Sequence, residues 1–264
     1  MRKISRKLAV STALLLTLGT SAFAQQSFFS PNVAGINPSS VRPGVNPWME
    51  AWSGFAFQNN FYGGYVGANV ALNPKRDIWD EGFVLRFEGV AGHYDYASSI
   101  VPSGEVNVLT HGATMMFGYR KKVGEGLLTA YLGANYEHHN TPDPTAQIRG
   151  TEVGAKTLVE YYAAYGPGKN YDFYGQAAYS SAFDTWWVYV APGYQISPKI
   201  WIGPEAQVGG NRAYEEARVG GWARFETPYP MLSNVTLAVG YRDPITSGVA
   251  TGYYARINMN YVFR

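Results

Sequence analysis

The sequence contains no cysteine, so disulfides, thiolate metal sites and cysteine nucleophiles are excluded. It is also poor in charge: Asp, Glu, Lys and Arg make up 15% of its 264 residues, against about 25% in an ordinary soluble domain. The formal net charge is only +2, without the basic excess of a nucleic-acid binder, so no nucleic-acid partner is expected. No run of about 20 apolar residues occurs, which excludes a helical membrane protein. Histidine is limited to four residues, and there is no Gly-x-Ser-x-Gly elbow, phosphate loop or dinucleotide fingerprint. Against these absences stand 30 Gly, 21 Tyr, 13 Phe and 7 Trp. An aromatic share of 16% is far too high for a disordered chain.

The N-terminus reads as an address. Arg2, Lys3, Arg6 and Lys7 precede a short apolar stretch, Leu8–Leu18, and Ala22-Phe23-Ala24 follows. That order predicts a secretory signal peptide over residues 1–24, too short in its apolar part to serve as an anchor. No cysteine follows, so a lipoprotein is not expected. Losing the four basic residues takes the net charge to −2, as suits an exported envelope protein. Residues 25–50 are rich in Ser, Pro and Asn, with Pro31, Pro38, Pro43 and Pro47 breaking any strand ladder. They read as an extended lead-in to one unit over residues 51–264.

That unit repeats a period of two. In the last segment Tyr253, Ala255, Ile257, Met259, Tyr261 and Phe263 share one face, and Tyr254, Arg256, Asn258 and Asn260 the other. Twelve such segments are expected, near 51–58, 61–72, 82–95, 106–120, 126–138, 149–163, 171–182, 185–195, 199–210, 214–226, 234–242 and 251–263. An even count suits a closed, antiparallel, up-and-down transmembrane β-barrel with both ends in the periplasm. The alternate turns differ as such a barrel requires. Ala97–Glu105, His139–Ile148 and Asp243–Ala250 are long outward loops, whereas Lys121–Glu125, Gly166–Asn170 and Ser197-Pro198 are short periplasmic ones. Asn73–Asp80 is longer than a periplasmic turn usually is.

One face of every segment is aliphatic, with Tyr and Trp near the ends. The other carries Arg86, Glu88, Arg120, Glu137, Glu152, Lys156, Glu160, Glu205, Arg218, Arg224, Arg242 and Arg256. A Lys or Arg facing mid-bilayer hydrocarbon costs about 2–4 kcal/mol, so this face is assigned to the lumen and the aliphatic face to outer-membrane lipid. A soluble sandwich or lipocalin-like barrel would bury the apolar face instead, but twelve strands enclose too much volume for one packed core. The lumen charges fit either a structural network of paired groups or the lining of a path. Inward aromatics, Tyr131, Tyr174, Trp187, Tyr189, Trp201, Trp222 and Tyr254, fit lumen filling or stacking on sugar rings.

Little points to catalysis, and no catalytic, metal or cofactor residues are assigned. His111 falls on the lipid face with Ser98, Ser99 and Ser103 on a nearby loop. His138 and His139 are adjacent on a strand and so point to opposite faces, a poor joint metal site.

Several stretches resemble the cellulose biosynthesis protein BcsS family. They are Asp80-Glu81-Gly82-Phe83-Val84-Leu85-Arg86 with Gly92-His93-Tyr94-Asp95-Tyr96, then Arg149-Gly150-Thr151-Glu152-Val153-Gly154-Ala155-Lys156. Tyr179-Ser180-Ser181-Ala182-Phe183-Asp184-Thr185-Trp186-Trp187, Ile202-Gly203-Pro204-Glu205-Ala206 and Arg218-Val219-Gly220 complete the set. The resemblance runs from Trp52 to Phe263. It implies an outer-membrane component of bacterial cellulose production, with outer-membrane lipid, a β-glucan chain and other cellulose synthase components as partners. It carries no catalytic residues across. The matched positions Arg86, Glu152, Lys156, Phe183, Trp187, Glu205 and Arg218 are functional candidates, all but Phe183 inward by parity. Adding the inward aromatic and cationic positions gives Arg86, Glu152, Lys156, Trp187, Trp201, Glu205, Arg218, Trp222 and Arg224 as candidate lumen or glycan contacts. A small-solute channel and, more distantly, a lipid-modifying enzyme are the competing readings.

Overall fold

The computed structural model describes residues 46–75, 77–246 and 251–264. The expected leader and nearly all of the lead-in lie outside the described residues. Twelve strands follow in order: β1 Met49–Gln58, β2 Phe61–Ala71, β3 Gly82–Ala97, β4 Glu105–Val123, β5 Gly126–Asn140 and β6 Gly150–Tyr165, then β7 Tyr171–Ser180, β8 Thr185–Ser197, β9 Ile200–Asn211, β10 Tyr214–Glu226, β11 Leu232–Pro244 and β12 Gly252–Phe263. Each pairs antiparallel with its sequence neighbour. β1 closes on β12 in one continuous register from Met49↔Phe263 to Gln58↔Tyr254. The barrel predicted from alternation is therefore the fold, with boundaries shifted by a few residues. β1 starts at Met49, inside the expected lead-in, and β3 and β4 form a longer hairpin than the pattern suggested.

Alternation decides the two surfaces. Along β4 the exposure alternates at every residue from Glu105 to Arg120. Large apolar side chains such as Phe57, Val66, Met115, Leu132, Val153 and Val239 are exposed on the outer wall, as a lipid-facing surface requires. Aromatic rings gather at both rims. Tyr165, Tyr171 and Tyr194 run across three strands at the mouth that holds the barrel's two termini, and Phe83 stacks on Phe117 and meets Tyr119 edge-on there. At the opposite, outward mouth Tyr241 meets Tyr253 and Tyr62 stacks on His93. Such girdles mark the two membrane interfaces.

Two irregularities shape the wall. Between β8 and β9 the ladder lapses from Val190↔Ala206 to Tyr194↔Ile202, where Pro192 opposes Pro204 and neither has an N–H to give. The indole of Trp222 donates to the Pro204 carbonyl at 3.1 Å and covers the gap from within. The β7–β8 connection is a tight turn closed by Thr185 N–H to Ala182 O, with both central residues left-handed, Phe183 at φ 52° and Asp184 at φ 53°. That is the geometry of a type I′ hairpin turn, with a bulky ring in a backbone region that favours Gly or Asn.

Close approach of neighbouring strands makes some glycines irreplaceable. A Cβ on Gly133 would lie 2.0 Å from the Met115 carbonyl oxygen and 2.5 Å from Met116 Cα, both backbone atoms. On Gly89 it would meet only Val66 Cγ2 at 3.5 Å. Gly133→Ala is expected to destabilise the barrel by about 1–3 kcal/mol, whereas Gly89→Ala leaves it close to the parent. The temperature at which the compact, heat-modifiable gel band converts to the unfolded one reads both.

Candidate functional site

The lumen holds the charged residues that alternation sent inward, and they are joined into hubs. Glu160 on β6 is the first. It receives Arg86 Nη1 at 3.1 Å, Arg120 Nη2 at 3.5 Å, the Tyr131 hydroxyl at 2.9 Å and the Tyr174 hydroxyl at 3.3 Å. Arg86 also grips Glu88 at 2.7 Å and lies 4.5 Å over the Trp52 ring. Lys156 reaches across from β6 to Glu88 at 2.6 Å and sits 5.1 Å over the Trp187 ring. Arg120 continues to Glu50 at 3.7 Å, and Asn69 donates to Glu50 at 2.6 Å.

Glu205 on β9 is the second hub, receiving Arg256 at 2.7 Å, the Tyr254 hydroxyl at 2.6 Å and the Tyr189 hydroxyl at 2.8 Å. Arg224 on β10 binds Asp172 at 2.7 Å and lies between the Trp201 and Trp222 rings, 4.7 and 5.6 Å from their centroids. Nearer the outward mouth Glu216 pairs with Arg218 and, at 3.7 Å, with Arg242. These groups are buried, so each cation needs its carboxylate: removing one member of such a pair strands the other.

Eight of the nine sequence candidates sit in this network or line it: Arg86, Lys156, Trp187, Trp201, Glu205, Arg218, Trp222 and Arg224. Glu152 is inward but at the outward rim, partly exposed, where it accepts from the Phe183 N–H and from Arg212 Nη2, both at 2.8 Å. Phe183 departs from the parity expectation. Its left-handed turn swings the ring inward, 1% exposed, edge-on to His139 at 5.0 Å and under the Arg212 guanidinium at 5.3 Å. The sequence reading missed Glu50, Asp172 and Glu216, all of which alternation would have sent inward. It also missed Asp143 and Arg212, which lie in turns where no periodicity exists.

Both mouths are covered by connections that fold back. At the outward mouth residues 141–149 form a strap whose Ala146 and Ile148 are buried. Ala146 packs in a cluster with Phe61, Tyr94, Tyr96, Val106 and Val108. Asp143 latches it, accepting from the Tyr96 and Ser98 hydroxyls at 3.2 Å each and from the Thr145 N–H and hydroxyl at 2.9 and 2.7 Å. Burial alone would raise its pKa, but the hydrogen bonds from Thr145, Ser98 and Tyr96 outweigh it and hold the carboxyl below its usual range. At the terminal mouth the long β2–β3 connection turns Ile78 into the lumen. The Ile78 N–H donates to the Pro47 carbonyl at 2.7 Å, and its own carbonyl receives Arg120 Nη1. Hydrogen bonds from Lys122 and Lys75 hold Asp80 at its base far below the usual carboxylate range.

No serine–histidine pair forms from the residues considered for catalysis. Ser98 is spent on Asp143, His139 lies in the lumen 3.7 Å from Glu137, and His111 is outside on the wall. Among the described residues no cluster of three or more His, Cys, Asp or Glu side chains could hold a metal ion.

Glu160 answers to two arginines at once. Glu160→Gln is therefore expected to cost about 3–5 kcal/mol of barrel stability and to lower the heat-modifiability midpoint well beyond what Glu137→Gln does. The strap carries a second expectation. Because Asp143 is lowered in the folded state, its contribution is full at and above the ordinary value of about 3.9 and is lost as pH falls below it. Cleavage within residues 141–149 by a protease active at the pH used should stay slow from neutral pH down to about pH 4 and quicken below that. Asp143→Asn should be cleaved readily already at neutral pH.

Comparison with solved structures finds the same architecture at low identity. An outer-membrane channel from Pseudomonas putida F1 is 11% identical with a TM-score of 0.54, covering 84% of this chain and 100% of that one. The β domain of the Bordetella autotransporter BrkA is also 11% identical, with a TM-score of 0.50 over 83% of this chain and 100% of that one. The KdgM porin solved with disordered oligogalacturonate is 10% identical, with a TM-score of 0.49 over 81% of this chain and 99% of that one. No curated protein matches the chain. The fold is thus that of outer-membrane barrels. The family model described as cellulose biosynthesis protein BcsS matches residues 51–263, the whole barrel but for its first two residues and the last of the chain, and the chain belongs to that family.

Proposed function

We propose that this protein is exported by residues 1–24, resides in the bacterial outer membrane, and handles a neutral β-glucan chain in its lumen during cellulose production without catalysing a reaction. One observation carries the reading: each lumen cation has a carboxylate beside it, and the buried polar atoms left without a partner, apart from guanidinium nitrogens such as Nε of Arg224 and Arg256, belong largely to neutral side chains. Arg86, Arg120, Lys156, Arg224 and Arg256 are each engaged by a carboxylate. Trp201 Nε1, Gln207 Nε2, Asn258 Nδ2, Thr236 Oγ1 and Asn260 Oδ1 are buried without a hydrogen-bond partner. A buried polar group left unpaired costs about 1–3 kcal/mol, and a chain of hydroxyls supplies both donors and acceptors. An anionic polymer would instead need free cations.

In this reading the rings of Trp201 and Trp222, buried in the closed barrel with Arg224 against both, become the stacking surface when the lumen opens. Arg86, Lys156, Trp187, Glu205 and Arg218 keep the lumen in shape, and Glu152 fixes the rim. Passage requires the strap of residues 141–149 to leave the outward mouth and the buried side chains that fill the lumen behind it, Arg86, Lys156, Glu205 and Arg224 among them, to part.

Cellulase-released glucose, measured separately in the periplasm and outside the cell, tests the proposal. Without the protein, external cellulose should fall and periplasmic glucan rise. Trp201→Ala with Trp222→Ala should reproduce that pattern in a barrel that still assembles. A fall in both fractions would instead assign the protein to synthesis or complex assembly. A steady open conductance of the parent protein, with unchanged cellulose in its absence, would make it a small-solute channel. Altered phospholipid or lipid A profiles on deletion, reversed by the parent and not by His139→Ala, would make it an enzyme.

A further inference from the structure

The outer wall carries a group of side chains that the lumen function does not use. His111 on β4 and His138 on β5 are directly opposed in the β4–β5 register, and both point outward. Their rings lie 5.0 Å apart. Tyr136, two residues before His138 on the same face, brings its hydroxyl to 3.4 Å from His111 Nε2. On the other side Thr151 of β6 sits 2.7 Å from His138 Nδ1.

The group lies at the outward edge of the apolar belt. Below it the outward-facing residues are Ala113, Met115 and Phe117 on β4 and Ala134, Leu132 and Ala130 on β5. Above it are Leu109, Asn107 and Glu105. The ring nitrogens therefore face the interfacial zone, where water and ions reach them.

We propose that His111, Tyr136 and His138 bind a divalent transition-metal ion, Cu2+ or Zn2+. Three features point to this. Directly opposed strand positions hold two imidazoles on one face with no backbone change needed. Imidazole nitrogen suits Cu2+ and Zn2+ and does not suit Ca2+ or Mg2+. The separation of 3.4 Å is long for an O–H···N hydrogen bond. It is also the spacing of two donors each about 2.1 Å from a tetrahedral ion.

Thr151 serves as the outer partner. When His138 Nδ1–H donates to the Thr151 hydroxyl, Nε2 is left bare for the ion and the ring is held in place. The open position on the ion faces outward and takes an oxygen, water in the simplest case. An ion here ties β4 to β5 just below the root of the strap of residues 141–149.

The test uses the full barrel purified without a histidine tag, titrated with Cu2+ alone and separately with Zn2+ by calorimetry. Saturable binding of one ion per barrel is expected. Affinity should fall at least about tenfold in His111→Ala and in His138→Ala, and less in Thr151→Val. His93→Ala and His139→Ala should bind as the parent does. Cu2+ should also give electron-paramagnetic-resonance splitting from two imidazole nitrogens, reduced to one in either single variant. Binding should raise the heat-modifiability midpoint of the parent and leave the double variant unmoved. The proposal is overturned if no saturable binding occurs, if the double variant binds as tightly as the parent, or if binding is lost only with His139→Ala.

Discussion

Pairing of buried charge in the lumen is the constraint on which the rest of this barrel depends. A strand of period two that shows apolar residues to lipid must send its polar residues inward, and here they include long cations from six strands. Arg86, Arg120, Lys156, Arg224, Arg242 and Arg256 stand on β3, β4, β6, β10, β11 and β12. Each is buried, and each finds its carboxylate on another part of the wall or two residues along its own strand. The chords from Arg86 to Glu160 and from Lys156 to Glu88 cross from β3 to β6, and those from Arg224 to Asp172 and from Arg256 to Glu205 each span three strand steps. Such chords brace the lumen against change of cross-section, which a closed sheet alone does not.

The bracing explains a tolerance elsewhere. Where Pro192 opposes Pro204 the wall gives up its ladder over three residues. A breach of that kind would leave acceptors bare in lipid, at a cost of several kcal/mol per group. Here the Trp222 indole donates to the Pro204 carbonyl from inside, and Arg224, bound to Asp172, sits over the Trp222 ring. The residue proposed to stack on glucan thus also seals the wall.

The barrel itself was legible in the sequence because period-two alternation survives in every strand, and hydrocarbon outside leaves charges no choice of face. The same rule found the buried hubs: Arg86, Lys156, Glu205, Arg218 and Arg224 all lie where alternation put them. It found little in the connections. Phe183 is itself one of the two left-handed residues of a tight turn, where the alternation of the strands no longer sets which way a side chain faces. Asp143 and Ile78 are buried by segments that fold back into the mouths, and nothing in a loop's composition signals that. The unusual length of Asn73–Asp80 was a hint, since the added residues are those that reach Pro47 and Arg120. The pairing of His111 with His138 needed the β4–β5 register, which alternation alone does not supply.

The order in which this structure can open follows from what each part rests on. The outward strap is held by hydrogen bonds to one carboxylate and by a small apolar cluster around Ala146. Hydrogen bonds to a charged group contribute about 1.5–3 kcal/mol each, and those that Thr145 makes with Asp143 lie within the strap and survive its movement. The Tyr96 and Ser98 bonds to Asp143, with a 3.3 Å hydroxyl contact between Tyr96 and Thr141, tie the strap to β3 and the loop after it. The hubs are different: breaking one buried pair costs about 3–5 kcal/mol, and Glu160 alone joins two such pairs to two tyrosines. Any force applied along the lumen axis therefore lifts the strap before it disturbs the braces. The mouth moves first, and the buried Trp201, Arg224 and Trp222 rearrange only after it.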